Sequence, residues 1–157
     1  MAKVRIMAAP RIATIGYEGL PPADFLHLLR EAGIRRVADV RAIANSRKPG
    51  YSKRALAAAL EGAGIEYVHI PELGTPAAGR AAVRAGRPQE MPRIYLPHLA
   101  RPGAQTALAD LAETSRRTPT CLLCLEADPA HCHRTLIAQA MHEKWGFAID
   151  ALAASRG

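Results

Sequence analysis

Residues 120–134 read Thr-Cys-Leu-Leu-Cys-Leu-Glu-Ala-Asp-Pro-Ala-His-Cys-His-Arg, the pattern of a buried strand that turns into a helix. The apolar run ends on a carboxylate, Glu126, and the turn passes through Asp128 and Pro129. Four reactive or charged side chains then stand at the expected start of the helix: His131, Cys132, His133 and Arg134. This mixture within nine positions indicates a functional site at the end of the strand.

The rest of the chain alternates strand and helix patterns in the same way. Apolar runs predict strands at residues 11–16, 36–40, 65–70, 120–125 and 147–152. Amphipathic runs predict the helices, with stops at Gly33, Gly64 and Gly146 and a cap at Ser52. Such alternation is typical of a parallel sheet covered on both faces. We predict an α/β fold: a single three-layer domain over residues 1–157 with a mainly parallel sheet of about five strands, Rossmann-like or flavodoxin-like.

Residues 75–103 depart from this alternation. Ala-rich helical fragments there are interrupted by glycines and prolines: Gly79, Gly86, Pro88, Pro92, Pro97 and Pro102. Long irregular segments in compact domains are often functional, so we predict an irregular insertion or lid over the sheet.

The composition is that of an ordinary globular protein, with 49% hydrophobic and 22% charged residues. No apolar run is long enough to span a bilayer, and the N-terminal residues lack the pattern of a secretory signal. Three cysteines are too few for a disulfide scaffold. We therefore expect a cytoplasmic protein without a membrane partner.

The net charge of +7 has two interpretations. Clustered cations bind phosphate, which makes nucleic acid a candidate partner. A basic surface that only keeps the protein soluble is the alternative. The few aromatic residues form no ladder for stacking single-stranded bases.

Four of the predicted strands end in polar or glycine-rich sequence. These ends are residues 16–19, 39–41, 72–74 and Glu126 with the turn that follows it. Ligands of parallel α/β sheets lie outside the carboxyl ends of the strands. The sequence therefore predicts one composite site at this edge of the sheet.

An anion is the first candidate ligand for the composite site. Cations and a hydroxyl for holding it are Arg41, Ser46, Arg47, Lys53 and Arg134, aided by free amides of the last helix. The alternative is internal pairing, Arg134 with Glu126 or Arg41 with Glu18. Gly16 and Gly19 complete neither a P-loop nor a dinucleotide fingerprint, so no nucleotide cofactor is expected.

Acid–base and thiol chemistry are also open to this group of residues. Glu18, Asp39, Glu126, His131 and His133 are candidates for proton transfer. Cys132 is a candidate nucleophile because of its electropositive surroundings, with a buried inert thiol as the alternative.

A bound metal is not expected. Cys121 and Cys124 stand three apart in a strand and so point to opposite faces. Residues 131–133 can supply two metal ligands, and Glu126 is a conceivable third.

The four strand-end blocks together resemble the family called domain of unknown function 488. They are Thr14-Ile15-Gly16-Tyr17-Glu18-Gly19, then Asp39-Val40-Arg41 with residues 46–53, then Glu72-Leu73-Gly74, then Cys124-Leu125-Glu126 with Cys132-His133-Arg134. The resemblance implies a single α/β domain, mostly bacterial and archaeal, without a settled activity. It picks out Gly16, Tyr17, Asp39, Arg41, Ser46, Arg47, Gly74, Glu126, Cys132, His133 and Arg134. Ala44 and Ala151 depart from the family pattern, which has proline and often histidine there.

These observations favour a protein that binds an anionic, phosphate-bearing small molecule related to nucleotides or nucleic acids, as a hydrolase or transferase. Alternatives are a nucleic-acid-binding module without turnover and a Cys/His metal protein. The predicted catalytic residues are Glu126, Cys132 and His133. The predicted binding residues are Gly16, Tyr17, Glu18, Asp39, Arg41, Ser46, Arg47, Lys53, Gly74, His131 and Arg134.

Overall fold

A five-stranded parallel sheet organises the computed structural model, which describes residues 9–46, 48–126 and 132–153. The strands are β1 (Arg11–Gly16), β2 (Arg36–Asp39), β3 (Glu66–His69), β4 (Thr120–Cys124) and β5 (Ala148–Leu152). Their order is β3-β2-β4-β1-β5, and every pair among the described strands is parallel. The prediction of an α/β fold with five strands is confirmed.

Six α-helices surround this sheet in the described part of the chain. They are α1 (Pro22–Glu31), α2 (Lys53–Gly62), α3 (Ala77–Arg84), α4 (Met91–Leu99), α5 (Pro102–Arg117) and α6 (His133–Trp145). None of them is long and apolar enough to cross a membrane. Gly146 ends α6 with a left-handed φ of 76°, as its place in the sequence predicts. Ser52 precedes α2 as predicted, although its side chain makes no capping hydrogen bond.

β4 lies in the middle of the sheet because its residues are apolar on both faces. All five are buried. Cys121 and Leu123 pack in one hydrophobic cluster with Phe25 of α1 and Leu56 of α2. Leu122 and Cys124 pack in the other cluster, with residues of α4, α5 and α6. The two clusters give the three layers, and the prediction that Cys121 and Cys124 face opposite sides is confirmed.

Residues 75–103, where the sequence suggested an irregular insertion or lid, are mostly helical. They form α3, a 3-10 turn at Pro88–Glu90 and α4. These helices were hard to predict because each is only two to three turns long and is bordered or interrupted by glycine and proline. Tyr95 of α4 is fully buried, and its hydroxyl donates to the Leu73 carbonyl oxygen at 2.7 Å. That α3 and α4 act as a lid stays a prediction.

Candidate functional site

The carboxyl ends of β2, β4 and β1 lie side by side and form the floor of the candidate site. Backbone hydrogen bonds continue beyond the strands, from Tyr17 N to Cys124 O and from Val40 N to Leu123 O, each at 3.1 Å. A cavity of about 510 Å³ opens above this edge. Its volume lies within the range of small-molecule sites. Five of the predicted site residues line it: Tyr17, Glu18, Arg41, Glu126 and His133.

Arg41 and Asp39 form a buried ion pair at the end of β2. Arg41 Nε donates to Asp39 Oδ1 at 2.8 Å, and Nη2 donates to Oδ2 at 2.7 Å. Arg41 Nη1 donates to the Tyr51 carbonyl oxygen at 2.7 Å and to the Tyr17 hydroxyl at 3.2 Å. The ion pair that Arg41 makes among the described residues is thus with Asp39, whereas the sequence suggested Glu18. Most of its N–H groups are engaged inside the protein.

Aromatic side chains hold this ion pair in place. The rings of Tyr17 and Tyr51 stack with centroids 4.3 Å apart, and the Arg41 guanidinium lies 5.3 Å from the Tyr17 ring centre. Tyr67 donates its hydroxyl to Asp39 Oδ2 at 2.6 Å. Burial and this hydrogen bond raise the pKa of Tyr67. Asp39 is therefore a supporting residue, held by Arg41 and Tyr67 inside the protein.

His133, the first residue of α6, is buried beside the cavity. Its Nε2 lies 2.6 Å from the Val40 carbonyl oxygen at the end of β2. Burial lowers the pKa of His133 to about 4. The imidazole is consequently neutral at pH 7, with Nε2 as the donor and Nδ1 as the acceptor.

The Sγ atoms of Cys124 and Cys132 lie in direct contact, as in a disulfide. The pair joins the end of β4 to the residue before α6. Cys124 was expected from the sequence to be mainly a core residue, so this pairing was not predicted. Cys124 does lie near the site as suggested, with Sγ 3.5 Å from Glu126 Oε2. Cys132 is 2% exposed, so an attack by Cys132 on a ligand in the cavity has little support in this structure.

Arg134 lies under the cavity rather than in its wall. The side chain is 1% exposed, and Nη1 donates to Cys124 Sγ at 3.3 Å and to the backbone carbonyl oxygen of Glu126. This contact joins α6 to the loop after β4. The sequence suggested an ion pair between Arg134 and Glu126, whereas the contact described here is with the Glu126 backbone carbonyl oxygen. A direct role of Arg134 in anion binding stays a prediction.

Four further predicted residues are described by the structure but do not line the cavity. Gly74 allows a close approach of two loops, since a Cβ there would lie 2.2 Å from Ala42 Cα. Gly16 ends β1, Ser46 Oγ accepts a hydrogen bond from Lys48 N, and Lys53 is exposed at the start of α2. Arg47 and His131 lie outside the described residues.

Two cavity residues that the sequence analysis did not select are Arg80 and Arg84 of α3. They stand four positions apart and thus on one face of the helix. Arg80 Nε is buried and has no hydrogen-bond partner among the described residues. The spacing of these arginines was visible in the sequence, but a helix had to be recognised in residues 75–103 before it could be used.

One buried group of side chains in the described part of the chain could hold a metal ion. Cys124, Cys132 and His133 each offer one ligand atom, and these three atoms lie within 4.8 Å of one another. From the sequence, residues 131–133 were expected to supply two metal ligands, or three together with Glu126. The proximity of Cys124 to Cys132 could not be seen there.

Comparison with known proteins agrees with the resemblance carried by the strand-end blocks. Curated proteins and solved structures give no match. A family model, described as Domain of unknown function DUF488, matches residues 21–141. This range includes β2, β3, β4 and most of α6. The chain therefore belongs to the DUF488 family of domains of unknown function.

Proposed function

We propose that the protein binds an anionic, phosphate-bearing ligand in the cavity at the carboxyl ends of the strands. The observation that carries the proposal is the pair Arg80 and Arg84, which line the cavity from α3. Because Arg80 Nε is buried without a partner among the described residues, a phosphate oxygen there would satisfy a donor that otherwise costs free energy. Guanidinium groups are well suited to phosphate because their planar N–H groups match two oxygens.

Two carboxylates in the cavity support a proposal of turnover. The carboxylates of Glu18 and Glu126 line the same space as the two arginines. A carboxylate within reach of a bound phosphoester can accept a proton from water or from a hydroxyl group. We therefore infer hydrolysis or transfer of a phosphoester, with Glu126 the preferred acid–base group because it follows the central strand.

In this proposal Arg41 has a positioning role. Its guanidinium is engaged by Asp39, Tyr17 and Tyr51, so only the remaining Nη2 N–H can reach a ligand. The positive charge of Arg41 is largely offset by Asp39 within the protein. The phosphate contacts are assigned to Arg80 and Arg84 for this reason.

Isothermal titration calorimetry with inorganic phosphate and with a nucleoside monophosphate tests the proposal. We expect Arg80→Ala and Arg84→Ala each to weaken binding about tenfold or more, because charged hydrogen bonds contribute about 1.5–3 kcal/mol. Arg30→Ala is the matched control, since Arg30 is exposed on α1 and does not line the cavity. Equal affinity in wild type and both α3 variants would show that the proposal is wrong.

The net charge of +7 favours a second candidate, binding of nucleic acid. The two candidates differ in their dependence on salt. A nucleic acid lying on a broad basic surface releases many counterions, so its affinity falls steeply with salt. A phosphate in the cavity has few ionic contacts and a shallow slope. Fluorescence anisotropy with a labelled oligonucleotide at several salt concentrations distinguishes them.

A further inference from the structure

Beneath the cavity, at the junction of β4 and α6, Cys124, Cys132 and His133 bring two sulfurs and a ring nitrogen together. We propose that these three residues, in the reduced protein, bind a thiophilic divalent metal ion, with Zn²⁺ the ion best matched to the ligands. Two thiolates and one imidazole are a known protein ligand set for zinc. The three residues are all buried, between 1% and 7% exposed.

The orientation of the His133 ring supports metal binding. A carbonyl oxygen can only accept, so the 2.6 Å contact with Val40 O places the proton on Nε2. The Nδ1 lone pair is then available, and Nδ1 lies 3.9 Å from Cys132 Sγ. Tetrahedral zinc with ordinary bond lengths places sulfur and nitrogen ligands about 3.6 Å apart. Metal-ligating histidines commonly donate their other N–H to a carbonyl or carboxylate in this way.

The backbone spacing of the cysteines is also suited to a bridging ion. Their Cα atoms lie 7.3 Å apart. Disulfides usually span about 4.4–6.8 Å between Cα atoms. An ion about 2.3 Å from each sulfur accommodates a wider spacing than a direct sulfur–sulfur bond does. The disulfide and the metal site use the same two sulfurs, so they exclude one another.

Neighbouring side chains hold the first sulfur in place. Arg134 Nη1 donates to Cys124 Sγ at 3.3 Å, and such contacts to the ligands commonly support metal sites. Glu126 is a candidate for the fourth coordination position, because its Oε2 lies 3.5 Å from Cys124 Sγ. Cys124, Glu126 and His133 all line the cavity, so a water from it can take that position instead. The metal site shares Glu126 with the proposed anion site, but the contacts of Cys124, Cys132 and His133 do not require a bound anion.

The test uses Co²⁺ as a spectroscopic probe on protein that has been stripped of metal and reduced with a phosphine. We expect one equivalent to bind with thiolate-to-cobalt charge-transfer absorption and the intense bands of tetrahedral cobalt. One equivalent of Zn²⁺ should abolish both signals. Cys124→Ser and Cys132→Ser should each lose the charge-transfer intensity and weaken zinc binding at least about tenfold. Cys121→Ala is the matched control because Cys121 lies on the opposite face of β4, and it should bind as wild type does.

A second measurement on the wild-type protein covers the case in which the serine variants do not fold. Oxidation with diamide should form the Cys124–Cys132 disulfide and abolish cobalt binding, and reduction should restore it. Failure of the reduced wild type to bind cobalt or zinc would overturn the inference. So would binding that survives oxidation, or binding that is unchanged in both folded serine variants. Arg80→Ala should leave metal binding unchanged, which separates this inference from the anion proposal.

Discussion

Arg41 and Asp39 face each other at the end of β2, and two N–H groups of the guanidinium hold both oxygens of the carboxylate. Both residues are buried, with Asp39 fully so. Removing one partner leaves the other charge buried without compensation, so we expect Asp39→Asn to lower the free energy of unfolding by about 3–5 kcal/mol. Urea unfolding at pH 7 measures this.

Asp150→Asn is the control for that variant. It makes the same chemical change in the exposed pair with Arg11, where solvent screens the charges. We expect a much smaller loss there than at Asp39. Equal losses in the two variants would contradict the structural role assigned to the Asp39–Arg41 pair.

Gly74 and Ala42 approach so closely that a side chain at position 74 has no room. We expect Gly74→Ala to lower the free energy of unfolding by about 1–3 kcal/mol, because the backbone of one loop must shift. Gly103→Ala is the matched control, since its added Cβ meets nothing within 4 Å. That control should be neutral or slightly stabilising, by up to about 1 kcal/mol. An unchanged free energy of unfolding in Gly74→Ala would show that the loop can shift without cost.

The Tyr95 hydroxyl joins α4 to the loop after β3 through the Leu73 carbonyl oxygen. We expect Tyr95→Phe to lower the free energy of unfolding by about 1–2 kcal/mol, because a buried acceptor loses its donor. Hydrogen exchange should also become faster in residues 91–99, as α4 loses an anchor. Tyr51→Phe is a useful comparison, since its hydroxyl donates to Leu20 O on the other side of the sheet and should leave exchange in α4 unchanged. Unchanged exchange in α4 of Tyr95→Phe would mean that apolar packing alone holds the helix.

Three tyrosines make the protein sensitive to alkali. Burial is the main cause that raises the pKa of Tyr51, Tyr67 and Tyr95. The unfolded chain loses these phenolic protons near pH 10, while the folded chain retains them. Above that pH the unfolded state binds fewer protons, so the free energy of unfolding falls as pH rises. Urea unfolding between pH 8 and 11 should show this fall, and it should be less steep in Tyr95→Phe. If the free energy of unfolding of Tyr95→Phe fell as steeply with pH as that of the wild type, Tyr95 would not contribute to the sensitivity to alkali.

The elements of this fold could be predicted because their signals are local. β4 was expected at 120–125 and lies at Thr120–Cys124, since a continuous apolar run and the carboxylate that follows it mark the strand without reference to the rest of the chain. Gly146 ends α6 for a local reason too, because a left-handed φ favours glycine.

The partners of the site residues depend on the assembled fold and could not be predicted. Arg41 pairs with Asp39, the last residue of β2, because residues two apart in extended chain lie on the same side. Tyr17 and Tyr51 also contact Arg41 there. The contact of Cys124 with Cys132 depends on how the chain returns from β4 to α6. Arg80 and Arg84 could be placed together only after a helix had been recognised in residues 75–103, and the glycines and prolines of that segment argue against a helix.

The position of β4 determines when this protein can fold during its synthesis. Ile12 of β1 and Arg36 of β2 both pair with Thr120, which the ribosome makes long after either strand. Until then β2 has β3 as a neighbour, but β1 has neither of its two partners, because β5 comes later still. An emerging chain therefore exposes an unpaired apolar strand until β4 has been synthesised. Sequence-distant pairing of this kind slows folding, and such a nascent chain is a natural client for a chaperone that shields strand edges.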